Sequence, residues 1–197
     1  MKLNLPNQLT LLRVVMIPLF MFFVIFPVFG ELITPIVATA VFILTALTDM
    51  LDGKIARKYN LITNFGKFLD PLADKCMILG GFIALLCVAS VRGEIYTYVL
   101  TWSFFLVLLR ELAVTSMRLV VSDAGNIVIA ANWMGKVKTV LQTVTMVVLI
   151  LEPVLMTYVY NTNNIVSYVF LGLTVIITMW SGINYFAAYW PYLDPTK

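Results

Sequence analysis

The chain has 197 residues, of which 61% are hydrophobic and only 12% charged, and its net charge is +3. A soluble domain averages about 25% charged residues, so this composition excludes an ordinary soluble enzyme and predicts a protein that resides in lipid. The chain contains no histidine, which excludes a phosphohistidine intermediate, a histidine base and a histidine metal ligand. Its length allows about six helical crossings of about 20 residues each, and we interpret residues 1–197 as a single membrane domain.

Six apolar segments follow one another along the chain, and they predict an all-α polytopic fold with six transmembrane helices. Each is a continuous apolar run, whereas the strands of a membrane barrel alternate in polarity. A short polar start precedes the first segment, and we expect it to be amphipathic, with Asn7 or Thr10 capping the helix. Because the first segment contains Arg13 and lacks a cleavage pattern, we interpret it as a retained helix. The segments span residues 12–29, 32–47, 76–91, 95–121, 139–160 and 165–189.

The basic residues determine the predicted orientation. With six crossings, all of the 13 lysines and arginines except Arg92 lie on the side that holds both termini. Positive residues collect on the cytoplasmic side of short loops, so both termini are predicted to be cytoplasmic, in the cell membrane. A long polar connection at residues 48–75 lies on the same side, and we expect the active site there, facing the cytoplasm.

Four aspartates stand in that connection as two pairs. Asp49 and Asp52 are spaced i, i+3, and Asp70 and Asp74 are spaced i, i+4, so each pair lies on one face of a helix. The first pair closes the second crossing and the other opens the third, so the pairs should be neighbours. Converging carboxylates either take up protons or hold cations, and an all-oxygen set selects Mg²⁺, Mn²⁺ or Ca²⁺. The pattern therefore predicts two divalent metal ions that promote in-line phosphoryl displacement.

The residues between the two pairs fit a phosphate-bearing ligand. Gly53, Ala56 and Gly66 are small enough for a ligand to approach the backbone, and Arg57 offers a bidentate fork for phosphate. The alternative is a solvated surface, since the helix dipole alone favours carboxylates at a helix N-terminus. We prefer the ligand site because four aspartates, two glycines and an arginine occur together.

The stretch from Asp49 to Asp74 matches the pattern D-x2-D-G-x2-A-R-x8-G-x3-D-x3-D at every position and gap. On this motif the chain resembles the CDP-alcohol phosphatidyltransferases, which implies transfer of a phosphatidyl group from CDP-diacylglycerol to an alcohol with release of CMP. The resemblance implies that Asp49 and Asp70 bridge two Mg²⁺ or Mn²⁺ ions. It implies that Asp52 and Asp74 complete the two sites and that Asp74 is the general base. The residues implied to line the cytidine pocket and to hold the pyrophosphate are Gly53, Ala56, Gly66 and Arg57.

Charged residues further along the chain are candidates for binding the acceptor alcohol. Arg110, Glu111 and Arg118 lie toward the cytoplasmic end of the fourth segment, where ionisable residues are costly and usually functional. The two arginines differ by about 80° around an ideal helix, so they can share one cavity, with Glu111 neutralising one of them. Lys136 and Lys138 begin the fifth segment. We predict that these four basic residues bind a phosphate on the acceptor, preferring Lys136 to Lys138; the alternative is positive-inside anchoring and snorkelling.

The start at residues 4–18, the Arg-Glu-Leu at 110–112 and the Gly-Lys-Val-Lys-Thr at 135–139 are similar to family members that use glycerol 3-phosphate. The predicted partners are therefore CDP-diacylglycerol, glycerol 3-phosphate and membrane lipids, without nucleic acid. The main alternative is a cardiolipin-forming member, whose acceptor is phosphatidylglycerol. Other classes are a small divalent-cation transporter, which would place ionisable residues near the midplane, and an inactive membrane subunit. The resemblance also implies a homodimer, and Gly80 and Gly81 permit close helix approach.

Overall fold

The structure, a computed structural model, describes residues 4–59, 63–125, 133–160 and 162–190; within these ranges it describes no side chain at 50–58, 64, 67 and 122–125. Every regular element in the described part of the chain is helical, which confirms the predicted all-α fold. The elements are α1 (Leu5–Ile25), α2 (Gly30–Lys58), α3 (Asn64–Val88), a 3₁₀ turn (Ala89–Arg92), α4 (Glu94–Gly125), α5 (Trp133–Tyr158) and α6 (Ile165–Tyr189).

All of these helices except α4 are long and apolar enough to cross a membrane, so the chain is a polytopic membrane protein. α4 has 32 residues and packs along α6. Just before its start, Arg92 Nη2 lies 2.7 Å from Glu152 Oε2, near the end of α5. Toward its end, Arg118 Nη2 donates to Tyr185 Oη at 2.6 Å, near the end of α6. α4 therefore traverses the same thickness as the apolar helices, which supports the predicted sixth crossing.

α1 begins earlier than the apolar part of its sequence. Asn4 is the N-cap, because its side chain accepts from the backbone N–H of Asn7 at 3.2 Å. The prediction that Asn7 or Thr10 caps this helix is wrong, and the polar start is continuous with α1. From Asn7 onward, one face of α1 is buried at intervals of three or four residues, and it is polar in its first half and apolar in its second: Asn7, Thr10, Arg13, Ile17 and Phe20.

The polar connection predicted at residues 48–75 is mostly helix. α2 continues to Lys58 and α3 begins at Asn64, so the predicted bounds of these segments at residues 47 and 76 are wrong. A polar stretch does separate the two apolar spans, which end at Asp49 and begin again at Phe68. Residues 54–58 contain no proline and consist mostly of good helix formers, which lets α2 extend beyond its apolar part. Thr63 caps α3, since its hydroxyl accepts from the Gly66 N–H at 3.0 Å. The two aspartate pairs consequently stand on helices, as their spacing predicts.

The bundle has one main core that receives side chains from every described helix. α1 packs on α2 and α3, α5 packs on α2, α3 and α6, and α4 packs on α6. Large apolar side chains also cover the outer surfaces of the helices, as expected where they face lipid. The core includes Phe20, Phe42, Phe82, Leu100, Leu149 and Leu171.

Gly80 and Gly81 bring α3 close to α1 and α5 within a single chain. A Cβ at Gly81 would lie 2.8 Å from Met146 Sδ, and one at Gly80 would lie 3.0 Å from Met21 Sδ. Their lack of side chains is therefore used for packing inside one protomer. These two glycines lend no support to the predicted homodimer.

Polar side chains gather at the two ends of the bundle. At one end Arg92 donates to Glu152, to Asn164 Oδ1 at 2.8 Å and to Ser167 Oγ at 3.0 Å, and Glu152 is almost fully buried. This network joins the 3₁₀ turn to α5 and α6 and closes that end. The other end holds the aspartate motif, and we call it the aspartate end.

Candidate active site

α1 holds two of the predicted metal ligands at the aspartate end. Thr10 Oγ1 lies 2.7 Å from Asp70 Oδ1 on α3. Arg13 is fully buried, and its Nη1 lies 2.5 Å from Asp49 Oδ1 on α2. A buried guanidinium is costly unless it is paired, so the Arg13–Asp49 contact also fixes α1 against α2. The polar half of the buried face of α1 thus orients carboxylates on two other helices.

Asp74 lies where the aspartate motif adjoins side chains of α4 and α5. It follows Asp70 by one helical turn on α3. It is near enough to interact electrostatically with two acidic and two basic side chains, namely Asp49, Glu111, Lys138 and Arg13. The acidic neighbours repel its carboxylate and the basic neighbours attract it. Asp74 therefore belongs both to the aspartate motif and to the adjoining basic region.

A cavity of about 490 Å³ opens beside Asp74, and side chains of α3, α4, α5 and α6 line it. All four predicted phosphate-binding residues line this one cavity, together with a fifth basic residue. Lys138 is buried whereas Lys136 is exposed, so burial favours Lys138 over Lys136 as an inner ligand. We call the five residues the basic wall: Lys75, Arg110, Arg118, Lys136 and Lys138.

α6 positions the two arginines of the basic wall. Arg110 Nη2 donates to Ser181 Oγ at 2.8 Å. A Cβ at Gly182 would lie 2.9 Å from Arg110 Cγ, so a glycine at this position leaves room for the Arg110 side chain beside α6. Arg118 donates to Tyr185 Oη, and its Cζ lies 4.9 Å from the centroid of the Tyr185 ring. Both guanidinium groups are therefore held in place before any ligand binds.

Glu111 connects the basic residues of α4 and α5. Its Oε1 contacts Lys138 Nζ and accepts from Arg110 Nη1 at 3.2 Å. The predicted neutralisation thus falls on Arg110. One helical turn along α4, Thr115 Oγ1 donates to the Glu111 carbonyl at 2.7 Å, and Lys75 Nζ donates to Thr115 Oγ1. The lining is consequently a connected polar network rather than a set of independent charges.

The donor chemistry at the aspartate end suits a hard divalent ion. Asp49, Asp70 and Asp74 offer only oxygen ligands, and they come from α2 and α3, which both pack on α1. Among the side chains that the structure describes, no three of the acidic or cysteine type converge closely enough to hold an ion. Asp52 lies outside the described side chains. The four-aspartate metal site therefore fits by chemistry and stays a prediction.

The predicted nucleotide pocket lies largely outside the described side chains. Gly53, Ala56 and Arg57 belong to α2, and only Gly66 is described fully. Gly66 is buried where α3 meets α1: a Cβ there would lie 3.1 Å from Asn7 Oδ1 and 3.3 Å from Thr63 Oγ1. Packing alone therefore requires a small residue at Gly66, and the role of all four in nucleotide binding stays a prediction.

Gly66→Val is expected to lower the melting temperature of the purified protein in detergent. Overpacking of this kind costs about 1–3 kcal/mol, because Asn7 and the Thr63 cap must both move. Gly172→Val on α6 is the matched control, since nothing lies within 4 Å of a Cβ at that position. An unchanged melting temperature for Gly66→Val would show that the α1–α3 contact is looser than described.

Sequence reasoning missed several residues that position the site. Thr10 and Arg13 are spaced i, i+3. This spacing places both polar side chains on one helix face and could have indicated their shared role. Lys75 directly follows Asp74, but its contact with Thr115 depends on how α3 and α4 pack. Ser181 and Tyr185 carried no signal, because hydroxyl groups in an apolar segment are also common in ordinary helix packing.

The sequence profile of the CDP-alcohol phosphatidyltransferases matches residues 3–180. The chain belongs to this family. A CDP-diacylglycerol–glycerol-3-phosphate 3-phosphatidyltransferase of Bacillus subtilis is 36% identical over 98% of this chain and 99% of its own length. A protein of the same name in Yersinia pestis is 34% identical over 96% of this chain and 97% of its own length. A probable phosphatidylglycerophosphate synthase of Mycobacterium tuberculosis is 35% identical over 93% of this chain and 80% of its own length.

Membership confirms the predicted family and the predicted enzyme class. The chain is a phosphatidyltransferase with several membrane-spanning helices, of a family that depends on divalent metal ions. The transporter and the inactive subunit are accordingly not favoured.

Proposed function

We propose that this phosphatidyltransferase transfers the phosphatidyl group of CDP-diacylglycerol to glycerol 3-phosphate, forming phosphatidylglycerophosphate and CMP. The observation that carries the choice of acceptor is the cavity in which the basic wall adjoins Asp74. An acceptor that bears its own phosphate needs cations other than those that serve the donor's pyrophosphate. The relatives named for this reaction support the same acceptor. A neutral acceptor such as inositol or serine would have no use for five cations.

We propose that two divalent ions, Mg²⁺ or Mn²⁺, are held by Asp49, Asp52, Asp70 and Asp74. Asp49 and Asp70 would be shared between the ions, and Arg13 and Thr10 orient these two carboxylates. When bound, the ions would neutralise the donor's pyrophosphate and favour the departure of CMP.

The chain's own residues account for the remaining steps. The hydroxyl oxygen of glycerol 3-phosphate attacks the phosphatidyl phosphorus while Asp74 takes the hydroxyl proton. The bond between that phosphorus and the oxygen of CMP breaks in line. Arg110 and Arg118 hold the acceptor's phosphate, with Lys138 and Lys136 adding positive charge. The residues proposed to bind the nucleotide are Gly53, Ala56, Gly66 and Arg57.

The active site is proposed to face the cytoplasm, with both termini on that side of the cell membrane. The starts of α1 and α3 meet where Thr63 Oγ1 donates to Asn7 Oδ1, and α6 ends beside Arg118. The described ends of the chain therefore both lie at the aspartate end, whereas Arg92 lies at the other. This distribution agrees with the positive-inside rule. A single domain over residues 1–197 and a homodimer remain proposals that rest on the family resemblance.

Replacing the arginines of the basic wall tests the acceptor. Arg118→Ala and Arg110→Ala should each raise the KM for glycerol 3-phosphate and leave the KM for CDP-diacylglycerol nearly unchanged. A charge-assisted hydrogen bond contributes about 1.5–3 kcal/mol, so the expected rise is roughly 10–150-fold. Arg118 is the cleaner position because its side chain is exposed, while Arg110 is also packed against Gly182.

Arg118→Lys is the matched control, since it keeps the charge and should lose less affinity than Arg118→Ala. The companion measurement is CMP release by the purified wild-type enzyme with glycerol 3-phosphate, phosphatidylglycerol, inositol and serine in turn. A preference for phosphatidylglycerol, inositol or serine would refute glycerol 3-phosphate as the acceptor, while the family assignment would stand.

A further inference from the structure

Glu111 occupies the middle of the basic wall. Its carboxylate contacts Lys138 Nζ and Arg110 Nη1, and Lys75 is near enough to attract it electrostatically. The side chain is 13% exposed and lines the same cavity as these three cations. The carboxylate of Glu111 is therefore already bound by groups that are proposed to bind or to adjoin the acceptor's phosphate.

The position of the Glu111 carboxylate among these cations has a physical explanation. Cations in a partly buried cavity at the membrane edge are costly without a counter-charge. Glu111 supplies that counter-charge and holds Lys138 and Arg110 in defined positions. A phosphate group that enters the cavity seeks charge-assisted hydrogen bonds from the same nitrogen atoms. The carboxylate and the phosphate are therefore alternative partners of Lys138 Nζ and Arg110 Nη1.

We propose that Glu111 is a built-in competitor of the acceptor phosphate, an inference that rests on the proposed function. With the cavity empty of substrate, its carboxylate holds Lys138 and Arg110. When the acceptor binds, its phosphate replaces the carboxylate as their partner. After the reaction the carboxylate reclaims both cations, which favours release of the product's phosphate. Glu111 thus lowers the affinity for the acceptor and promotes release of the product.

A purely structural role for Glu111 makes the opposite prediction. If the carboxylate served only to hold Lys138 and Arg110 in the binding geometry, its removal would disorder both and weaken acceptor binding. If it competes with phosphate, its removal strengthens acceptor binding. The sign of the change in KM separates the two roles, and a loss of stability alone would not produce a lower KM.

The test is Glu111→Gln in the full-length purified enzyme. The KM for glycerol 3-phosphate and the inhibition constant of inorganic phosphate should both fall by about tenfold, as expected for removing one nearby like charge. The KM for CDP-diacylglycerol should stay unchanged. Glu94→Gln, at the opposite end of α4, is the matched control and should change none of these constants. An unchanged or higher KM for glycerol 3-phosphate in folded Glu111→Gln would overturn the proposal.

Glu111→Asp provides a second test, which decides the matter if Glu111→Gln does not fold. The shorter carboxylate keeps the charge but reaches Lys138 and Arg110 less well, so the KM for glycerol 3-phosphate should fall by about threefold. An equal or higher KM would refute the competitor role. Failure of the proposed function is a separate result, since the wild-type enzyme would then show no turnover with glycerol 3-phosphate.

Discussion

Asp70→Asn is expected to abolish turnover, with a loss of at least about 10³-fold, because it weakens a ligand that both metal ions are proposed to share. Asp70 is the better of the two shared ligands to test. The asparagine Oδ1 can still accept from Thr10 Oγ1, which lies 2.7 Å from Asp70 Oδ1, so the α1–α3 contact is preserved. Asp49→Asn should also abolish activity, but it removes the charged partner of the fully buried Arg13 and should reduce stability as well.

The measurements are CMP release and direct binding of Mn²⁺ to the purified enzyme, observed by electron paramagnetic resonance. Asp70→Asn should lose both, and excess chelator should stop the wild-type reaction. Glu31→Gln, a carboxylate at the start of α2 and far from the motif, is the control and should lose neither. Retention of more than about a tenth of the wild-type rate by folded Asp70→Asn would show that this carboxylate is not a shared ligand.

Asp74→Asn is expected to lower kcat by about 10²-fold or more while leaving both substrate KM values largely intact. The chain contains no histidine, so a carboxylate is the natural acceptor for the proton of the attacking hydroxyl. Among the motif aspartates whose side chains the structure describes, Asp74 is the one that lines the cavity with the basic wall, where that hydroxyl would lie. Steady-state kinetics with each substrate varied in turn provides the measurement.

The competing result is a large loss of affinity for CDP-diacylglycerol with normal kcat. It would make Asp74 a metal ligand that acts only in donor binding. Cys76→Ser is a useful companion variant, because it alters an exposed side chain two residues further along α3 without removing a carboxylate or a residue of the basic wall. A fall in kcat for Cys76→Ser as large as that for Asp74→Asn would show that general damage to this part of α3, rather than loss of a base, causes the effect.

Local pattern and motif spacing were enough to predict the helices and the aspartate pairs. Continuous apolar runs specify membrane helices because the backbone must satisfy its own hydrogen bonds in lipid. The spacing of Asp49, Asp52, Asp70 and Asp74 specifies their helix faces directly. The same reasoning placed the end of the second helix too early, because α2 continues beyond its apolar part to Lys58. The residues that follow the apolar part of α2 are polar but still favour a helix.

The sequence by itself thus determined the fold class and the family and predicted the metal site, since each depends on neighbours along one chain segment. Only the tertiary structure decided which distant side chains meet. Glu111 contacts Lys138, which lies 27 residues away, Arg110 reaches Ser181, and Arg13 reaches Asp49. Such contacts depend on how each helix is rotated against its neighbours, and that rotation results from packing between whole helix surfaces. A helical period shows which residues share a face, but it does not show which other helix that face will meet.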